Sequence, residues 1–175
     1  MSRELELERT YLAKFLPNDL KNSPSKEIID IYFPKNVHRP NIRIRQSGGL
    51  YFITKKTPTG LDTFSQQVEE TIPLTAEEFL TLSVVDGHRV VKTRYYYPYG
   101  QQIAEVDVFS GEHEGLVLVD FEFSSVEEMN NFEMPDFCLA DVTEEEIIAG
   151  GVLSHETMFS VMKVLEKFSY QIINN

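Results

Sequence analysis

Two segments of this chain alternate so strictly that each reads as a strand with one dry face. In Ala104-Glu105-Val106-Asp107-Val108-Phe109 and in Val119-Asp120-Phe121-Glu122-Phe123, every second residue is acidic. Successive side chains of a strand point to opposite faces. Val106, Val108, Val119, Phe121 and Phe123 therefore turn toward a core, and Glu105, Asp107, Asp120 and Glu122 turn away from it. Like charges side by side on one sheet face repel, and crowded carboxylates tend to take up protons. Glu6 and Glu8 repeat the pattern near the start, in Glu4-Leu5-Glu6-Leu7-Glu8. A hard divalent cation relieves such repulsion, and Mg²⁺ and Mn²⁺ accept oxygen ligands.

Basic residues follow the same rule. Arg43 and Arg45 share a face in Ile42-Arg43-Ile44-Arg45, Lys56 shares one with Thr54 and Phe52, and Lys92 and Arg94 share one in Lys92-Thr93-Arg94. Guanidinium forks suit bidentate contact with phosphate oxygens. These cations, drawn from separate strands, can surround one multiply charged anion. The competing reading is a solvated sheet whose surface charges merely cross-pair, and such pairs are worth little.

Further strand signals run over 28–33, 41–46, 50–56, 66–72, 89–97, 102–109 and 115–123, about eight strands in all with the first. Ser47-Gly48-Gly49 and Tyr99-Gly100 mark hairpin turns. Capping-box pairs predict three short helices, at Thr75 with Glu78, Ser125 with Glu128 and Thr143 with Glu146. Met158, Val161, Met162, Leu165, Phe168 and Ile172 keep helical spacing and predict a C-terminal helix over about 154–172. Many strands with few helices predict a mainly β (α+β) fold, an antiparallel sheet that curls or closes.

The 175 residues fit one domain. With 16 basic and 28 acidic residues the net charge is −12, which disfavours duplex nucleic acid and anionic membrane as partners. No secretory pattern opens the chain, and no apolar run approaches the roughly 20 residues of a membrane helix. The cytoplasm is therefore the expected compartment. The single cysteine, Cys138, reads as a small buried apolar residue. His38, His88, His113 and His155 show no ligand spacing and read as loop or surface residues. Gly150-Gly151 has no Gly-Lys-Ser/Thr after it and reads as a break between two helices.

Taken in order, these segments resemble the CYTH family, also called triphosphate tunnel metalloenzymes. Glu6-Leu7-Glu8 stands where the family has Glu-x-Glu-x-Lys, with Thr10 at the lysine position. Arg43-Ile44-Arg45, Thr54-Lys55-Lys56, Lys92-Thr93-Arg94, Glu105-Val106-Asp107, Asp120-Phe121-Glu122 and Asp141-Val142-Thr143 match later motifs in sequence. The resemblance implies an eight-stranded antiparallel β-barrel, or tunnel, with peripheral helices and the C-terminal helix. It implies a metal side of Glu6, Glu8, Asp107, Asp120 and Glu122, holding one or two Mg²⁺ or Mn²⁺ ions. It implies a phosphate side of Arg43, Arg45, Lys56, Lys92 and Arg94.

The activity implied is metal-dependent hydrolysis of a triphosphate, inorganic, organic or nucleoside, with Glu69 or Glu105 orienting the attacking water as the base. The substrate class is a small-molecule triphosphate or polyphosphate, and a homodimer stays open as the oligomeric state. Two other functions fit the same pattern. One is a module that binds polyphosphate or a nucleotide without turnover, motivated by Thr10. The other is an adenylyl cyclase of this fold, which needs a place to stack adenine. Tyr95, Tyr96, Tyr97 and Tyr99 are the available rings, though strand tyrosines more often pack.

Overall fold

The computed structural model describes residues 2–38, 42–58 and 66–174, and their side chains except those of 2–6, 58, 66 and 67. Among these residues, nine strands form one antiparallel sheet: β1 (Ser2–Ala13), β2 (Ser25–Phe33), β3 (Ile42–Ser47), β4 (Leu50–Pro58), β5 (Gln66–Leu74), β6 (His88–Tyr99), β7 (Gln102–Ser110), β8 (Val117–Glu122) and β9 (Cys138–Asp141). Their order is β5-β4-β3-β2-β6-β7-β8-β1-β9. β5, at one end of that order, also pairs with β1: Ser2 to Leu7 lie opposite Thr71 to Gln66. β1 meets β8 only further along, from Glu8 opposite Glu122 to Leu12 opposite Leu118.

The eight expected strands are all present, several with shifted ends. β9 was not legible, because four residues are too few to show alternation. Both expected hairpins form, Ser47 pairing with Leu50 and Tyr99 with Gln102. Gly48 takes φ 58° in the first of them, a backbone region that glycine enters without strain.

Helix α1 (Ala76–Leu82) starts at Thr75 with a complete capping box to Glu78. Helix α2 (Val126–Asn131) starts at Ser125, whose hydroxyl accepts from the Glu128 amide. The Glu128 carboxylate reaches past Ser125 to the amide and hydroxyl of Ser124. The third expected helix is absent, and only a single 3-10 turn, Glu146–Ile148, follows. Its intended cap is spent elsewhere, since Thr143 Oγ1 donates to Asp141 Oδ1 at 2.5 Å and accepts from the Thr10 amide at 3.1 Å.

The long C-terminal helix is also corrected. A separate short helix, α3 (Gly150–Leu153), precedes its expected span, of which only α4 (Met158–Leu165) is α-helical, followed by a 3-10 turn over Glu166–Phe168. Ser169 then adopts a left-handed conformation, and the chain leaves the helix path. Tyr170 anchors the tail, its hydroxyl donating to Gly115 O at 2.9 Å and accepting from the Val117 amide at 2.8 Å. No helix among the described residues is long and apolar enough to cross a membrane.

Three apolar clusters pack against the sheet, and two of them flank the charged face. On one face, Val106, Val108, Val119, Phe121 and Phe123 are buried with Tyr11, under Met129 of α2 and Phe137. This is the dry face that the alternation predicts. The opposite face carries the charges. At one end of that face the facing residues become apolar, and Leu12, Val90, Phe109 and Leu118 pack with Ile148, Leu153, Val161 and Leu165 of the C-terminal segment. The gradient from charged to apolar along the strands thus sets where that segment docks.

Candidate functional site

The charged face lines a cavity of about 400 Å³. Register explains why its residues converge. Arg45 lies opposite Asp30, Arg43 opposite Thr54 and Tyr32, and Lys56 opposite Glu69. Arg94 lies opposite Asp107, Thr10 opposite Asp120, and Glu8 opposite Glu122. Directly opposed residues share a sheet face, so one face of the eight strands β1 to β8 carries the whole set.

All five sequence-predicted cations, Arg43, Arg45, Lys56, Lys92 and Arg94, line the cavity. So do Glu8, Asp107, Asp120, Glu122 and Glu69. Glu105 sits behind Arg94, to which it is ion-paired, and is not among the lining residues. The Glu6 side chain falls outside the described residues.

Acids and bases interdigitate rather than face each other as two separate walls. Arg94 is the hub, with Nε 2.7 Å from Asp107 Oδ1, Nη2 2.6 Å from Asp107 Oδ2 and 3.0 Å from Asp120 Oδ2, and Nη1 on Glu105. Lys92 also donates to Asp107. Across the sheet, Glu69 stands between Arg43 at 3.7 Å and Lys56 at 3.5 Å.

Asp30 is a site residue that the stripe argument missed. It pairs with Arg45 at 2.7 Å and is 1% exposed. Its signal was a lone acid in an otherwise apolar strand, Ile28-Ile29-Asp30-Ile31-Tyr32. Tyr32, Thr54 and Thr143 line the cavity as well, and no charge pattern marked them.

These surroundings set the protonation states. Burial pushes the Asp107 carboxyl up, but Arg94 and Lys92 outweigh it and hold it at about 2. Asp30 is likewise held well below the usual carboxylate range, Arg45 and Arg43 overcoming its burial. Glu69 is lowered too, against its burial, by Arg43, Lys56 and the Thr71 hydroxyl. Glu105 goes the other way. Burial raises it to about 7, Arg94 opposing and Asp120, Glu122 and Asp107 adding to the rise. Burial raises Asp120 as well, with Arg94 opposing and Asp107 reinforcing the rise.

Among the described residues, no group of three His, Cys, Asp or Glu side chains is disposed to hold a metal by itself. Mg²⁺ is commonly held by one or two carboxylates together with substrate phosphates. Glu8 and Glu122, directly opposed on β1 and β8 and both lining the cavity, fit that mode with an all-oxygen donor set. Asp120 stands two residues from Glu122 on the same face.

The remaining sequence candidates divide. Tyr97 and Tyr99 pack on Phe137 with ring centroids 5.9 and 5.5 Å apart, partly buried against the core. Cys138 is buried, and burial pushes its thiol up to about 12. His38 is exposed and His155 lies in a turn, as expected, whereas His113 is buried. The His88 and His155 rings lie 4.0 Å apart with His38 beside them, and His113 is only 2% exposed.

The fold and site define an antiparallel β protein whose charged sheet face lines a cavity with interleaved cations and carboxylates. No family model matches the chain. It is 35% identical over 144 residues to a protein of Nitrosomonas europaea named inorganic triphosphatase, a match covering 81% of this chain and 91% of that protein. The crystal structure of an inorganic triphosphatase superposes with a TM-score of 0.64 at 28% identity, over 86% of this chain and 95% of that one. A candidate adenylate cyclase from Bacillus halodurans has a TM-score of 0.54 at 16% identity, over 100% of this chain and 95% of its own, a likeness of fold alone. The chain belongs to the CYTH, or triphosphate tunnel metalloenzyme, family.

Proposed function

We propose that this chain is a metal-dependent triphosphatase that hydrolyses a linear triphosphate, inorganic triphosphate first among them, inside a tunnel. The double pairing of β1, with β8 and with β5, supports reading eight strands as a closed barrel with β9 outside. The observation that carries the reading is the cavity itself. Arg43, Arg45, Lys56, Lys92 and Arg94 converge on one cavity with Glu8, Asp120 and Glu122 beside them. The 35% identity to an inorganic triphosphatase points the same way.

In this reading the five cations hold the phosphate oxygens and fix the chain of phosphates in line. Phosphoryl transfer needs mostly positioning and charge stabilisation. Arg94 and Lys92 already share Asp107, so an arriving polyphosphate exchanges one set of anionic partners for another. Glu8 and Glu122, with Asp120, are the residues that would hold Mg²⁺ or Mn²⁺, which would supply charge neutralisation and activation of the attacking water.

The test is phosphate release from tripolyphosphate, ATP and thiamine triphosphate with Mg²⁺ or Mn²⁺. Turnover of tripolyphosphate that Glu8→Gln abolishes is the expected result. Binding of tripolyphosphate with no release from any substrate would replace this reading by the binding-module one.

A further inference from the structure

We propose that Thr10 is a positioning residue that orients the Asp120 carboxylate for a divalent cation. The inference rests on the metal-dependent reading of the same cavity. Thr10 is 6% exposed and lies directly opposite Asp120 across the β1–β8 ladder. Its hydroxyl donates to Asp120 Oδ1 at 2.8 Å. The other carboxylate oxygen, Oδ2, accepts from Arg94 Nη2 at 3.0 Å. Each Asp120 oxygen therefore holds one protein donor in a fixed direction and keeps lone-pair capacity for another partner.

Thr10 is itself held in place. Its amide donates to Thr143 Oγ1 at 3.1 Å, and its carbonyl accepts from the Val142 amide at 2.8 Å. Thr143 Oγ1 in turn donates to Asp141 Oδ1 at 2.5 Å. The segment after β9 thus clamps both backbone groups of Thr10, and the hydroxyl has little freedom to choose another acceptor.

Chemistry makes threonine different from a cation at this position. An ammonium beside Asp120 would offset the negative charge that a metal needs. A hydroxyl orients the carboxylate and leaves its charge intact, with Arg94 already shared between Asp120, Asp107 and Glu105. Outer partners that orient a ligating carboxylate typically change metal affinity by roughly 10–100-fold when removed.

The experiment compares wild type, Thr10→Val, Thr10→Ala and Thr10→Ser. Mn²⁺ binding without substrate is followed by loss of the free-ion electron paramagnetic resonance signal. The Mg²⁺ dependence of phosphate release from tripolyphosphate is measured in parallel. Thr10→Val and Thr10→Ala should bind Mn²⁺ at least about tenfold more weakly and need correspondingly more Mg²⁺ for half-saturation. kcat at saturating Mg²⁺ should change less, and Thr10→Ser should restore both constants. Unchanged Mn²⁺ affinity in the folded Val or Ala variant, a serine variant as weak as valine, or a wild type that takes up no Mn²⁺ without substrate overturns the inference and leaves the triphosphatase reading standing. A wild type that binds Mn²⁺ but releases no phosphate overturns the triphosphatase reading, and the Mn²⁺ comparison still decides the role of Thr10.

Discussion

Arg45 meets Asp30 edge-on, its Nε 2.7 Å from Oδ1 and its Nη2 2.7 Å from Oδ2. The pair sits in the cavity wall, with Asp30 1% exposed. A bidentate geometry of this kind fixes the guanidinium plane before any ligand arrives. It also makes the pair a structural element, because either partner left alone would be a charge with poor access to water.

Asp30→Ala should therefore destabilise the chain by about 3 kcal/mol, since it strands Arg45. The midpoint of urea unfolding at pH 7 reads this directly. The same pair sets an acid limit. Arg45 and Arg43 hold the Asp30 carboxyl below its ordinary 3.8, against its burial. A depressed carboxyl stabilises the folded chain above its unfolded value and loses that contribution as pH falls through the folded one. Asp107, held at about 2, behaves alike. Stability should thus fall from about pH 4 toward pH 2, and the Asp30→Ala variant should show a shallower fall.

Lys56 should separate substrate binding from folding. Its ammonium is 3.5 Å from Glu69, and both side chains are about a quarter exposed, 27% and 23%. Such a pair contributes at most about 1 kcal/mol to stability. A charge-assisted bond to a phosphate is worth more, about 1.5–3 kcal/mol. Lys56→Ala should raise KM for tripolyphosphate at least about tenfold, with the thermal midpoint nearly unchanged. An unaltered KM would remove Lys56 from the phosphate-holding set.

Period-two alternation made the strands and the charged face legible, because one-residue spacing decides which side a residue faces. Glu8, Asp120, Glu122 and the five cations were readable for that reason. Asp30 was not, since a single acid among isoleucines carries no stripe, and its partner Arg45 is 15 residues away. Interdigitation was hidden too. Arg94 reaches Asp107 and Asp120 only through the β6–β7–β8 register, and strand order is not written in local alternation. The Thr143 cap failed for a similar reason. Its hydroxyl was drawn to Asp141 and to the amide of Thr10, 133 residues away.

Gly150 allows the C-terminal segment to close on the cavity wall. A Cβ there would lie 2.1 Å from the Tyr32 hydroxyl oxygen and 2.9 Å from its Cζ. Tyr32 is 7% exposed and packed with Leu153 and Ile148, so it has little room to retreat. Gly150→Ala should cost about 1–3 kcal/mol, the usual range for overpacking. Adding Tyr32→Phe removes the nearer atom and should recover part of the loss. Measured unfolding free energies of the single and double variants test the coupling, and simple additivity would contradict the contact.

Glu105 supplies a pH signature near neutrality. Burial lifts its carboxyl to about 7, with Arg94 opposing and Asp120, Glu122 and Asp107 contributing to the rise. Glu69, held low, is a poorer proton acceptor, so Glu105 has the better-matched basicity for moving a proton near pH 7. Glu105 pairs with Arg94 and does not line the cavity, and a guanidinium keeps its proton, so this role requires a water between Glu105 and the reacting phosphate. kcat/KM for tripolyphosphate should rise with pH through about 7, and Glu105→Gln should flatten that limb. Stability runs in the opposite direction. A carboxyl raised in the folded chain keeps its proton there, so the penalty of ionising it is absent below about 4.5 and complete above about 7. Glu105→Gln should therefore stabilise the chain at pH 8, by on the order of 2 kcal/mol, and leave it nearly unchanged at pH 4. Urea midpoints at the two pH values check the sign. A variant that lost stability at pH 8, or an activity limb that survived the substitution, would place the neutral titration on another group.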